Sequence, residues 1–178
     1  RGDGAYALMV VDGLLTRTVV LADSAATQLL GPGDILMPWQ DGDTLLPAAV
    51  EWTCNVPAQL AVLDDRTIMA ARRWPALFRA LHDRTAAQTA RLAMHNAIAQ
   101  LPRVDTRIVA VLWHLAERFG RVTPSGVLVP LKLTHEALGH LIGAQRPTVT
   151  LALRALTEEG VLARTDDGAW ILRDGSHD

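Results

Sequence analysis

The chain has 178 residues, a formal net charge of −2, 49% apolar and 20% charged side chains, and one cysteine, Cys54. That balance is typical of a soluble globular protein with one large or two small domains, and it speaks against a nucleic-acid binder working by bulk charge. No apolar run reaches bilayer length, and a lone cysteine excludes an internal disulfide and the cysteine set of an iron–sulfur sensor.

The chain begins with Arg1 rather than Met and shows no signal-peptide pattern, so it reads as a fragment of a longer cytoplasmic product. Ala5 to Leu21 alternates loosely around Asp12-Gly13 and predicts two strands. Gly31-Pro-Gly-Asp34 is a tight turn, in which Pro presets one backbone angle and Gly takes positive φ. Trp39 to Thr44 is polar and predicts a loop. Ala48 to Asn55 and Ala58 to Asp64 predict two further strands, with Val56-Pro57 between them. The whole is an antiparallel roll.

From Arg66 the pattern turns helical. Trp74-Pro75 marks a start, and Ala76 to Leu101 runs without Gly or Pro until Pro102. Ala86, Ala90, Ala93 and Ala97 form a heptad seam of small residues, and Thr85, Gln88, Leu92, His95 and Ala99 form a competing register. Such a helix suits a parallel two-fold coiled-coil dimer, or packing on its own roll, or both on different faces. Arg107 to Phe119 follows as an amphipathic helix with Ile108, Val111, Leu112 and Leu115 on one side.

Val127 to Leu131 predicts a strand, ending at Thr134 as a helix cap with Glu136 in the first turn. Thr134 to Leu156 then reads as two short helices joined by a turn at Gly143. Leu138, Leu141 and Ile142 pack the first helix. Val149, Leu153 and Leu156 pack the second, leaving Gln145, Arg146, Thr148 and Thr150 outward near its start. Val161 to Arg164, the turn Thr165 to Gly168, and Ala169 to Arg173 form a hairpin. Two helices and a hairpin make a winged helix-turn-helix; the alternative is an αα-hairpin in an ordinary helical core.

In a winged helix, Arg146 offers a fork matching O6 and N7 of guanine, worth about 1–3 kcal/mol of discrimination, against a phosphate contact or surface ion pair. Thr134 and His135, at a helix start, suit phosphates. From Lys132 onward five basic residues stand against seven acidic ones, so binding must rely on placement: Arg146, Arg154 and Arg164 can lie along one face, with Glu158, Glu159, Asp166 and Asp167 elsewhere. His135 and His140 lack a Cys or carboxylate partner at ligand spacing, which argues against metal. His82, His95 and His114 are scattered, and no phosphate loop or Ser/His/Asp order supports an enzyme.

Thr134, Leu138-Gly139, Ile142-Gly143 and Arg146-Pro-Thr-Val149 resemble the C-terminal domain of the Crp/Fnr family of bacterial transcription regulators. Leu29-Leu-Gly-Pro-Gly-Asp-Ile-Leu36 and Val10-Val-Asp-Gly13 resemble, more weakly, its cyclic-nucleotide-binding roll. The resemblance implies an α+β chain: an incomplete antiparallel, jelly-roll-like β-roll sensor over 1–73, a dimerisation helix over 74–101, and a winged helix-turn-helix over 102–178. It implies a homodimer on a palindromic site in double-stranded DNA, with RNA polymerase a further candidate partner and no membrane.

Two positions depart from the best-known family pattern. Pro147 stands where an acidic base-reader often occurs, and Leu151 where a second Arg often occurs. Pro147 is tolerable in a first helical turn but accepts no hydrogen bond, and Leu151 can touch only a thymine methyl. The same matching places the effector pocket at Leu36, Ala48-Ala49, Met94 and His95. Leu36 to Thr53 contains no Arg or Lys to hold a cyclic phosphate, so ordinary cyclic-AMP or cyclic-GMP binding is not expected, nor haem or an iron–sulfur cluster. An apolar ligand, a partner protein or no ligand stay open. A degenerate module acting through protein–protein contacts is the alternative reading.

Overall fold

Alternating Val, Leu and Thr carry Ala7–Leu21 as a single strand, β1, in the computed structural model of the protein, which describes residues 4–40 and 45–173. Asp12-Gly13 is therefore a bulge and not a turn between two strands. The register slips between Val10 and Leu15, and Gly13 absorbs the irregularity at φ 92°. A Cβ there would meet the Pro57 carbonyl at 2.4 Å, so only glycine fits.

Opposite the bulge runs β4, Ala48–Leu63, which is also one strand where two were expected. Its Pro57 lacks an N–H, but β4 pairs only with β1 among the described residues and loses no second ladder there. On the other side of β1 lie β2, Ser24–Leu30, and β3, Ile35–Leu36, all antiparallel. A 3₁₀ turn over Pro38–Gln40 takes the start of the expected polar loop, and Asp41 to Thr44 lie outside the described residues.

Asp64 caps helix α1, Asp65–Arg73, by accepting from the backbone N–H groups of Arg66 and Thr67. Helix α2, Pro75–Ala99, begins at the expected proline. Three of its side chains, spaced by four and three, hold the Gly31–Asp34 turn. The Arg84 guanidinium lies against Gly33, Gln88 bonds both the N–H and the carbonyl of Ile35, and Arg91 bonds Asp34. Gln88 thus faces the interior, whereas Ala86, Ala90, Ala93 and Ala97 are exposed.

The chain divides into two compact units, Arg1–Ala93 and Met94–Asp178. Val10, Leu14, Leu30 and Leu36 are the core of the first. The second holds α3 (Val104–Phe119), β5 (Arg121–Thr123), β6 (Gly126–Val129), α4 (His135–Ile142), α5 (Arg146–Glu158), β7 (Leu162–Arg164) and β8 (Trp170–Leu172). Its antiparallel sheet has the order β5-β6-β8-β7. Strand β5 was not foreseen: three residues are too short for a two-residue period to register. Ile108, Val111, Leu112, Leu138, Ile142, Val149, Leu162 and Leu172 are almost wholly buried at the centre.

Asp34 is 1% exposed, accepts from the Gly31 N–H at 2.9 Å, and pairs with Arg91 at 2.5 Å. Asp34→Ala would strand both partners; since Arg91 is about one-third exposed, a loss of about 2–3 kcal/mol in urea unfolding is expected.

Candidate nucleic-acid interface

Thr134 starts α4 by accepting from the Ala137 N–H at 3.0 Å, as its position before an apolar run predicts. Gly143 ends the helix in the left-handed region, at φ 65° and ψ 44°. The turn then folds close: a Cβ on Gly139 would sit 2.5 Å from the Ala144 carbonyl. Gln145 follows as the N-cap residue of α5, and Pro147 lies in the first turn, where its missing N–H costs no helical bond.

Burial then sorts the side chains of α5. Val149, Leu153 and Leu156 are buried; Gln145, Arg146, Pro147, Thr148, Thr150, Leu151 and Arg154 are exposed, Leu151 to 70%. The exposed positions wrap the N-terminal half of the helix, the end that reaches base edges when such a helix enters a major groove.

Not every exposed group has its hydrogen bonds to spare. The Thr150 hydroxyl lies 2.9 Å from the Arg146 carbonyl and 2.9 Å from His135 Nδ1, so it is occupied within the fold. Arg154 pairs with Glu158 at 2.8 Å one turn on, which corrects the expectation that the acidic residues lie elsewhere. Both are well exposed, and such a pair opens at little cost. The Arg164 guanidinium sits 5.2 Å from the Trp170 ring centroid. His135 titrates below the ordinary histidine value, first through partial burial and then through the charges of Arg164 and Arg146.

Two residues that the linear pattern did not single out for this region hold its geometry. Arg107 of α3 donates to the carbonyls of Leu101, Ile142 and Gly143. His95 Nε2 bonds the Leu141 carbonyl at 2.5 Å. Together they satisfy the last carbonyls of α4, which have no helical partner. His95, expected beside an effector, has its hydrogen bond to the helix-turn-helix.

Of the five expected effector residues, Leu36, Ala48 and Ala49 belong to the first unit and Met94 and His95 to the second. The first unit holds a cavity of about 320 Å³ lined by Arg17, Gln28, Leu30, Ile35, Leu36, Met37, Trp52 and Gln88. Only Leu36 is shared with the expected set. Arg17 stands opposite Gln28 on β2 and Trp52 on β4, so a cation absent from Leu36 to Thr53 comes from across the sheet. Among the described residues no His, Cys, Asp and Glu cluster suits a metal ion, and no helix is long and apolar enough to cross a membrane.

Residues 106–175 match the family model of the Crp-like helix-turn-helix domain. A 60-residue stretch is 40% identical to the global nitrogen regulator of Synechococcus elongatus, covering 34% of this chain and 27% of that protein. The match thus spans about a quarter of the curated relative's length. Among solved structures, the chain is similar to a CooA mutant from Carboxydothermus hydrogenoformans, with TM-score 0.74 and 20% identity over 94% of this chain and 74% of that one. It is also similar to a CRP-family transcriptional regulator from Thermus thermophilus, with TM-score 0.67 and 20% identity over 99% and 87% of the two chains. At these identities the likeness establishes the fold: an antiparallel N-terminal region, a long helix and a C-terminal winged helix-turn-helix.

Burial lowers the His95 pKa, with His114 adding a smaller repulsion and the Leu141 carbonyl opposing both. The unfolded chain therefore binds the proton first. His95 stability is complete above the ordinary value of about 6.5 and falls as pH drops through it. Comparing wild type with His95→Gln, which keeps an N–H donor, the thermal midpoint of wild type should fall by several degrees more between pH 7.5 and 5.

Proposed function

We propose, from the premise that residues 106–175 belong to the Crp-like helix-turn-helix family, that the chain is a sequence-specific DNA-binding transcription regulator. The observation that carries this reading is the partition of α5, with one apolar stripe buried and Gln145, Arg146, Thr148 and Leu151 exposed at its N-terminal half. Arg146 is the principal base reader, bidentate on guanine. Gln145 and Thr148 supply the other polar contacts to bases, and Leu151 a contact to a thymine methyl. Thr134 and His135 meet the backbone phosphates at the start of α4, and Arg154 joins them by exchanging Glu158 for a phosphate. With a net charge of −2, affinity rests on the placement of these few groups.

The regulator acts as a homodimer in the cytoplasm, with RNA polymerase as its further partner. The exposed Ala86, Ala90, Ala93 and Ala97 register favours close pairing of two α2 helices, since small side chains let the axes approach. Two recognition helices then read half-sites about one DNA turn apart. Selection of bound duplexes from a random pool should return a palindrome. Arg146→Ala should relax one base pair per half-site and weaken the selected duplex by about 1–3 kcal/mol. A pool that stays random after selection, or a consensus untouched by this substitution, would contradict the assignment.

The first unit is the sensing part, and its chemistry departs from that of a cyclic-nucleotide pocket. Arg17, Gln28 and Trp52 form one rung across three strands beside Leu30 and Met37, a lining suited to a small organic anion with a flat apolar body. Both amide atoms of Gln88 are engaged by Ile35; Arg17, Gln28 and Trp52 carry the other polar side-chain atoms of the lining. Benzoate should shift the Trp52 indole resonance saturably and benzamide should not. The shift should vanish in Arg17→Gln; equal responses to both probes would rule out an anion site.

A further inference from the structure

His135 is the point where three elements of the winged domain meet. It is the first residue of α4, it bonds Thr150 of α5, and the charges of Arg146 on α5 and Arg164 on β7 act on it. Its neighbour on α4 is Glu136.

The hydrogen bonds determine the tautomer. Thr150 Oγ1 has a single proton and two partners at 2.9 Å, the Arg146 carbonyl and His135 Nδ1. A carbonyl only accepts, so the hydroxyl proton goes to Arg146, and His135 must donate from Nδ1. In the neutral ring the unprotonated atom is then Nε2, which has no hydrogen-bond partner among the described residues. Protonation adds a donor and a charge at Nε2 and leaves the Nδ1 bond to α5 in place. The ring can thus change charge without releasing the recognition helix.

We propose that His135 links DNA binding to proton uptake: neutral in the free protein, it takes a proton against a backbone phosphate, with its bond to Thr150 kept in both states. The inference rests on the DNA-binding reading above. In the free protein partial burial first, and then the charges of Arg164 and Arg146, hold the histidine below its ordinary value. A phosphate beside the His135 ring supplies the opposite charge, and by linkage affinity must rise as pH falls through the window between the free and bound values.

The test uses the full chain and a mixed-sequence duplex several turns long, followed by fluorescence anisotropy from pH 8 to 5.5 at constant ionic strength. Wild type should tighten by up to about tenfold per pH unit for each DNA-bound protomer within the window, and its salt dependence should steepen by about one phosphate contact per protomer. His135→Asn, whose amide can still donate to Thr150, should show no gain in affinity as pH falls, whatever its affinity at pH 8. His140→Gln should behave as wild type. His135→Asn tracking wild type across the range, or binding that is salt-sensitive but flat with pH, would overturn the proposal and leave the DNA-binding reading standing. No duplex binding at any pH in low salt would remove both. Should His135→Asn fold poorly, the wild-type ring answers directly: its NMR titration must move to higher pH on adding duplex, and an unmoved titration rejects the linkage.

Discussion

The apolar stripe of α5 is the constraint on which the rest of the winged domain depends. Val149, Leu153 and Leu156 are spaced by four and three residues and are at most 6% exposed. Burying each such side chain contributes about 1.5–3 kcal/mol, far more than any single contact on the opposite side of the helix. Rotation of α5 about its axis is thereby set, and with it the identity of the side chains left outward. The two glycines serve the same packing: Gly143 turns the chain in a conformation other residues resist, and Gly139 lets the turn approach α4.

What this packing leaves outward is narrower than a list of exposed residues suggests. Thr150 spends its hydroxyl on Arg146 and His135, and Arg154 has Glu158 as a neighbour. The proposed recognising groups concentrate on Gln145, Arg146 and Thr148, at the very start of α5. Behind them, Arg107 and His95 occupy the carbonyls that α4 cannot satisfy, so the joint between the two helices has few unmet polar groups. In the proposed DNA-binding role a domain without basic excess gains from such rigidity, because its few cations must be held where phosphates and bases will be.

The first unit is organised around another local constraint, the buried Asp34 carboxylate. It gathers the Gly31 N–H and the Arg91 guanidinium, and Gln88 adds a two-pronged amide bond to the next residue. The turn is thus clamped by the face of α2 that carries Arg84, Gln88 and Arg91, and the alanine register stays exposed. Both heptad patterns are present in the sequence; hydrogen bonding selects which one the chain uses on itself.

The helix-turn-helix, its caps and its wing were legible in the sequence because their signals are local: a 3.6-residue apolar period, Thr134 before it, Gly143 after it, and a turn ending in Asp167-Gly168. Strand continuity was not. Gly13 and Pro57 each read as a break, yet they stand opposite one another, and the bulge in β1 accommodates the proline of β4. The cation in the cavity was hidden for the same reason, since Arg17 meets Trp52 only through pairing across 35 residues. Sequence by itself determined which segments are helices, which faces are apolar and which residue types stand at the head of α5. Only the tertiary structure decided which polar groups of the domain are already engaged, as Thr150, His95 and His135 are. A hydrogen-bond partner is chosen by distance in space, and no periodicity along the chain encodes it.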